Sequence, residues 1–147
     1  MRALFAMILF LSLCCAGCKQ DEKSLQEELA EIDSYIQDNG LNMMETSSGL
    51  HYMQIENGSG SSSPTIDSEV TVDYIGELMD GTIFDQNQNW KAPLAGLIQG
   101  WQEGIQLMNK GDRYLLIFPS TLGYGSQGTG SIPGYSPLVF DITLRDF

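Results

Sequence analysis

Apolar and polar positions alternate with different periods in different stretches of the chain. Ala3 to Leu13 is an almost unbroken apolar run behind one charge at Arg2. Leu25, Leu29, Ile32 and Ile36 then recur at steps of four, three and four, which places one apolar stripe on a helix. Ser24 with Glu27 fits a capping box at its start, and Asn39-Gly40 supplies a stop. Residues 49–56 alternate in part, as a strand does, and 57–64 read as a loop of Asn, Gly, Ser and Pro. Residues 70–78 are β-branched and alternating and predict a second strand. Asp80-Gly81 is a hairpin signal, 82–85 would begin the return strand, and 86–96 look irregular. Ile98, Trp101, Ile105 and Met108 recur at three, four and three, which predicts a short amphipathic helix stopped near Gly111. Strands follow at 113–118 and 138–144, around a Gly-, Ser- and Pro-rich loop at 119–137. A long loop inside a small domain is usually functional. The pattern predicts an α+β domain: an antiparallel sheet of about five strands crossed by one short helix, with an extra N-terminal helix and no internal repeat.

The first apolar run is too short for an ordinary membrane-spanning helix, which needs roughly 20 residues. A charged start, a short apolar stretch and small residues at Ala16-Gly17 read as a signal peptide over 1–17. All three cysteines, Cys14, Cys15 and Cys18, lie in this cluster. Cleavage before Cys18 would leave one thiol, too few for a disulfide. Cys15, Ala16, Gly17 and Cys18 resemble the bacterial lipobox, which implies lipidation of Cys18 and a covalent membrane anchor. Cys15 stands where that motif usually has leucine. Lipidation at Cys15 and a plain secretory signal with stray cysteines are the alternatives. The expected organisation is a signal peptide at 1–17, a lipidated tether and helix at 18–48, and a domain at 49–147. The expected location is the bacterial cell envelope, on either face of the outer membrane. The stripe on the first helix could pack on the domain or pair two copies into a homodimer.

Charge narrows the partners. The chain carries seven Lys+Arg against nineteen Asp+Glu, a net charge of −12. Loss of residues 1–17 removes only Arg2 and leaves about −13. Such a surface argues against nucleic acid and against electrostatic attachment to anionic lipid. His51 is the single histidine, so no Ser-His-Asp or Cys-His constellation is available. No paired His/Cys spacing for a metal and no glycine-rich phosphate loop appears, so neither metal nor cofactor is expected. What remains is shape and apolar surface.

Tyr74, Phe84, Trp90, Trp101, Tyr124 and Phe140 come from separate segments that a folded sheet could bring together. Taken singly, such aromatics are more often core than site. Their context carries a resemblance. Val72, Asp73, Tyr74, Ile75 and Gly76, then Asp80-Gly81 and Phe84-Asp85, are followed by Leu97, Ile98, Gln99, Gly100, Trp101 and Gly104. Met108 with Gly111, Gly123-Tyr124-Gly125, Ile132-Pro133 and Leu138 to Asp141 complete the series. This ordered set resembles the FKBP family of peptidyl-prolyl cis/trans isomerases, over about Gly49 to Phe147. The resemblance implies a curved sheet wrapped around one short helix. It implies an active-site lining of Tyr74, Phe84, Asp85, Leu97, Ile98, Trp101, Tyr124, Ile132 and Phe140. Trp101 would be the floor; Tyr74, Phe84 and Phe140 would be the walls. The Ile98 backbone N–H and the Tyr124 hydroxyl would bond carbonyls of the peptide, and Asp85 would sit at the rim. Trp90 is a further candidate for substrate contact. The segment from Gln86 to Ala92 is shorter than in small cytosolic members and lacks their arginine, and 126–135 departs in detail. The helix and lipobox ahead of the domain also resemble bacterial lipoprotein members.

The expected activity is isomerisation (rotamase activity) of Xaa-Pro bonds in folding extracytoplasmic proteins. Proline-containing polypeptides would be the substrates and macrolides the possible inhibitors. Two alternatives are a module that holds proline peptides or acts as a chaperone with little turnover, and an envelope lipoprotein whose aromatics are only core.

Overall fold

The computed structural model describes residues 25–147. The expected signal peptide, lipobox at Cys18 and capping box at Ser24 fall outside the described residues. Helix α1 runs over Leu25–Asp38, and short strand β1 over Met44–Glu45. Strands β2 (His51–Glu56), β3 (Glu69–Leu78) and β4 (Ile83–Pro93) follow, then a 3-10 turn at Leu94–Gly96 and helix α2 at Gln99–Ile105. Strand β5 covers Arg113–Phe118, a second 3-10 turn Ser120–Leu122, and β6 Leu138–Asp146. The six strands form one antiparallel sheet in the order β1-β2-β5-β6-β3-β4. The sixth strand beyond the expected five is β1, whose two residues pair Met44 with Tyr52 and Glu45 with His51. Among the described residues no helix is long and apolar enough to cross a membrane.

Strand periodicity sorts the side chains. Val70, Val72, Tyr74 and Gly76 of β3 point inward and are buried, as are Leu138, Phe140, Ile142 and Leu144 of β6. They meet Trp101 and Ile105 of α2, with Met108, in the main core. Helix α2 comes close because Gly100 and Gly104 face β5. A Cβ at Gly100 would lie 2.6 Å from the Phe118 ring, and one at Gly104 would lie 2.5 Å from Leu116.

The opposite face of the sheet has a second, smaller core. Ile117 and Val139 break the alternation of β5 and β6, face outward, and pair across the two strands. They are buried because α1 lies over them, with Ile32 fully buried and Leu29 and Ile36 packed alongside. The α1 stripe is therefore used on the sheet of its own chain.

The irregular stretch expected at 86–96 is in fact the edge strand β4, which continues to Pro93. Its polar residues, Gln86 to Asn89, lack strand composition, but the backbone ladder to β3 does not depend on side chains. Tyr74 pairs with Asn87 while Val72 pairs with Trp90, so β4 carries one extra residue. Asn89 adopts φ 51° in that bulge, and its N–H donates to Asp73 Oδ1 at 2.7 Å. The extra residue resets the alternation and turns Trp90 to the inner face beside Val72. Without it, Trp90 would point outward.

Candidate active site

At one end of the main core the inner face opens into a cavity of about 300 Å³. Tyr74, Phe84, Asp85, Trp90, Gly96, Leu97, Ile98, Trp101, Tyr124 and Phe140 line it. Its base is a set of rings in edge-to-face contact. Trp101 lies 5.0 Å from Tyr74 and 5.1 Å from Phe140, with interplanar angles of 79° and 87°. Phe84 stands at 84° to Phe140, 5.5 Å away, and Trp90 at 84° to Trp101, 6.0 Å away. Such contacts set positive ring edges on negative faces and hold each ring at a fixed tilt. Trp101 is 4% exposed, so it presents little more than one surface to the cavity.

The polar groups sit higher. Asp85 is exposed, and its Oδ2 accepts the Tyr74 hydroxyl hydrogen at 2.7 Å. Burial, then the Asp85 carboxylate, pushes the Tyr74 phenol up from its ordinary pKa. Burial and the same carboxylate also raise Tyr124. Both phenols therefore keep their protons at neutral pH and remain donors. Ile98 is the N-cap of α2 (φ −62°, ψ 151°), and its carbonyl accepts from the N–H groups of Trp101 and Gln102. Among the described residues the Ile98 N–H itself has no acceptor. The Gln102 side chain donates to the Leu97 carbonyl at 2.7 Å and to Ala95 at 3.2 Å, which fixes this rim of the cavity. The buried Trp101 indole N–H has no partner among the described residues.

Nine of the residues singled out from sequence converge here: Tyr74, Phe84, Asp85, Trp90, Leu97, Ile98, Trp101, Tyr124 and Phe140. Ile132 does not reach the lining. It is 6% exposed in the main core, at the base of the loop after β5, where its N–H and carbonyl bond Thr129. Sequence reasoning gave no role to three residues that shape the cavity. Gly96 lines it directly. Gly76 lies beneath two walls: a Cβ there would be 2.7 Å from both the Phe84 and Phe140 rings. Gln102 acts through backbone carbonyls, which a side-chain pattern cannot show. A larger open groove on the outer face, lined by Asp73, Arg113, Asp141 and Arg145 among others, is occupied by ion pairs. Among the described residues no cluster of three potential metal ligands occurs.

Residues 60–145 match the family described as FKBP-type peptidyl-prolyl cis-trans isomerase. The macrophage infectivity potentiator of Trypanosoma cruzi is 45% identical over 102 residues, covering 66% of this chain and 52% of that protein. The FKBP-type peptidyl-prolyl cis-trans isomerase FkpA of Buchnera aphidicola is 40% identical over 131 residues, covering 85% and 52%. This chain thus spans about half the length of these two relatives. The crystal structure of FkpA from Escherichia coli superposes with a TM-score of 0.74 at 34% identity, over 82% of this chain and 59% of that one. A peptidyl-prolyl cis-trans isomerase from Pseudomonas syringae gives 0.71 at 30% identity, over 84% and 95%. The matched segment holds β3 through most of β6, with every residue that lines the cavity, and the chain belongs to the FKBP-type peptidyl-prolyl cis-trans isomerases.

Proposed function

We propose that this chain accelerates cis/trans rotation of Xaa-Pro bonds in extracytoplasmic polypeptides, using the aromatic cavity as its catalytic site. The observation that carries this reading is the set of rings standing nearly perpendicular to Trp101, closed at the rim by the Tyr74 to Asp85 hydrogen bond. A planar amide resists twisting by roughly 18–20 kcal/mol, because rotation breaks its resonance. Spontaneous exchange at proline takes on the order of tens to hundreds of seconds. A gain of about 10⁵ requires lowering the barrier by roughly 7 kcal/mol. The twisted amide has lost charge separation between nitrogen and oxygen and depends less on water than the planar form. A dry aromatic cavity therefore binds the twisted state better than the ground state.

In this reading Trp101 supports the proline ring, and Tyr74, Phe84 and Phe140 bound it. Trp90 and Leu97 contact neighbouring side chains. The Ile98 N–H and the Tyr124 hydroxyl hold peptide carbonyls on either side of the rotating bond. Asp85 lies near the twisting amide. Its bond to the Tyr74 hydroxyl also fixes that ring. The Ile98 N–H, at the half-buried start of α2 on the cavity rim, has no acceptor among the described residues and is placed to donate to a peptide carbonyl. Ile132 serves the site by anchoring the loop that bears Tyr124.

The test is isomerisation of short Xaa-Pro peptides by the full chain. A clear rate gain, lowered in Trp101→Ala and Asp85→Ala, supports the reading. Retention of the full rate in the Phe84→Ala/Asp85→Ala double variant would sink it. Binding of proline peptides without a rate gain, across several residues before proline, would establish the holding module or chaperone instead. Competition by a macrolide would place that ligand in the same cavity.

The remaining proposals concern place and assembly. Lipid on Cys18 after removal of residues 1–17 would tether the domain in the bacterial envelope. It predicts a mass gain on the N-terminal peptide and loss of membrane partitioning in Cys18→Ser. A homodimer through α1 would have to use Leu25 and the polar face, since Ile32 is spent on the sheet. Sedimentation of the full chain tests it.

A further inference from the structure

Glu28 is a buried carboxylate outside the cavity lining, 1% exposed, on α1. Burial of an acid is unfavourable unless each oxygen has a partner. Here both oxygens are used on one residue. Glu28 Oε2 accepts the Ser120 backbone N–H at 2.6 Å, and Oε1 accepts the Ser120 hydroxyl at 2.8 Å. Ser120 is itself 3% exposed. It opens the turn that follows β5, and its carbonyl is the hub of that turn. The carbonyl accepts the Gly123 N–H at 2.9 Å and the Gly125 N–H at 2.8 Å. Those two residues flank Tyr124, which lines the cavity. Gly125 in turn accepts the Tyr135 N–H at 3.0 Å, which ties the turn to the far end of the loop. A continuous chain of short hydrogen bonds therefore runs from the N-terminal helix to the backbone on both sides of Tyr124. Next to Glu28 on the helix, Leu29 lies over Gly49 together with Pro119, so apolar packing clamps the same junction.

We infer that Glu28 is a positioning residue for the proposed isomerase: α1 holds the Ser120 turn through this carboxylate and thereby fixes Tyr124 at the cavity mouth. The inference rests on the isomerase reading and deepens it. The N-terminal helix is then part of the working site and not only a spacer. A neutral isostere, Glu28→Gln, keeps one acceptor oxygen and so retains part of the effect. Removal of the side chain frees Ser120 to turn away.

The experiment uses the full chain with 3-fluorotyrosine in place of tyrosine. The Tyr124 ¹⁹F line is identified by its loss in Tyr124→Phe. Ile32→Ala is the control, because it removes apolar burial beneath α1 and leaves the Glu28 to Ser120 hydrogen bonds in place. The expected result is a loss of about tenfold in kcat/KM for Glu28→Ala, the scale of a small misplacement of a contacting group. Glu28→Gln should fall between that variant and the parent, and Ile32→Ala should keep the parent rate. In a Tyr124→Phe background Glu28→Ala should cause no further loss, because it acts through Tyr124. The Tyr124 line should shift or broaden in both Glu28 variants and stay in place in Ile32→Ala. A rate within twofold of the parent with an unmoved Tyr124 line, or losses that multiply in the double variant, overturns the inference. If Glu28→Ala does not fold, Glu28→Gln decides by the same criteria. If the parent shows no isomerisation, the proposed function fails, and the ¹⁹F line alone decides whether Glu28 positions Tyr124.

Discussion

Gly76 shows how a single position can set the cavity. It sits on β3 opposite Asp85 of β4 and Phe140 of β6, and two aromatic walls lean over its missing side chain. Gly76→Ala forces the Phe84 and Phe140 rings outward, at a cost of about 1–3 kcal/mol, typical of an overpacked site. Urea unfolding should record that loss, and kcat/KM on a proline peptide should fall with it. The phenols make a second case. Burial raises both Tyr74 and Tyr124, so the folded state holds these protons more tightly than the unfolded chain does. Their contribution to stability is fully present below the unfolded tyrosine value of about 10 and is lost as pH rises through the higher folded values. Activity that needs two neutral phenols should therefore show no tyrosine-linked decline below about pH 10. A pH profile of kcat/KM checks this, and a decline that Tyr124→Phe abolishes at lower pH would contradict it. The sequence offered six aromatics of the lining as candidates, and the ordered motifs of the family resemblance added Asp85, Leu97 and Ile98 and gave all of them their place. They gave no role to Gly76 and Gln102, since one acts by lacking atoms and the other by holding backbone.

At the scale of elements, the informative cases are β4 and α1. Gln86, Asn87, Gln88 and Asn89 read as a loop because none of them favours a strand. The tertiary ladder to β3 overrides that preference, and the bulge at Asn89 then aims Trp90 into the cavity. Asn tolerates the left-handed backbone at φ 51°, and a β-branched residue does not. Asn89→Val should destabilise by about 1–3 kcal/mol and weaken peptide binding, while Asn89→Gly should keep both near the parent. Thermal unfolding and peptide titration separate these outcomes. Helix α1 was legible as an amphipathic stripe, but its target was not. Its partners Ile117 and Val139 lie more than eighty residues away. They do announce two-sided burial, because 115–118 is apolar without alternation. Ile32→Ala should cost about 2–5 kcal/mol, as expected for a fully buried side chain. A shift in the urea midpoint, with peptide turnover unchanged, is the expected signature.

For the whole molecule, the charge that dominates composition is spread over the surface and is partly organised into pairs. Arg113 donates to both oxygens of Asp141 and to Glu56, spanning β2, β5 and β6 on the outer face. Arg145 donates to Asp73 from Nε at 2.8 Å and also from Nη2. The hydrogen bond from Arg145, then the one from Asn89, hold the Asp73 carboxyl below its ordinary pKa. A depressed folded value stabilises the fold above the unfolded aspartate value of about 3.9, and that stability is lost as pH falls through the folded value. The urea midpoint should therefore drop below about pH 4, and Arg145→Ala should make that drop shallower. An unchanged acid limb in Arg145→Ala would remove Asp73 from the account.

Taken by itself, the sequence determined what repeats locally: helix and strand periods, the hairpin at Asp80-Gly81, and the run of motifs that marks the family. Periodicity and turn chemistry act between near neighbours, so one chain suffices to read them. Only the tertiary structure decided what depends on distant segments meeting. It placed β6 between β3 and β5, turned Trp90 inward through one extra residue, and set Ile132 in the core and not in the lining. It also joined Glu28 to Ser120 across ninety-two positions. An acid on an exposed-looking helix and a serine in a loop carry no shared period, and their bond exists only because α1 packs across the face of the sheet beside the end of β5.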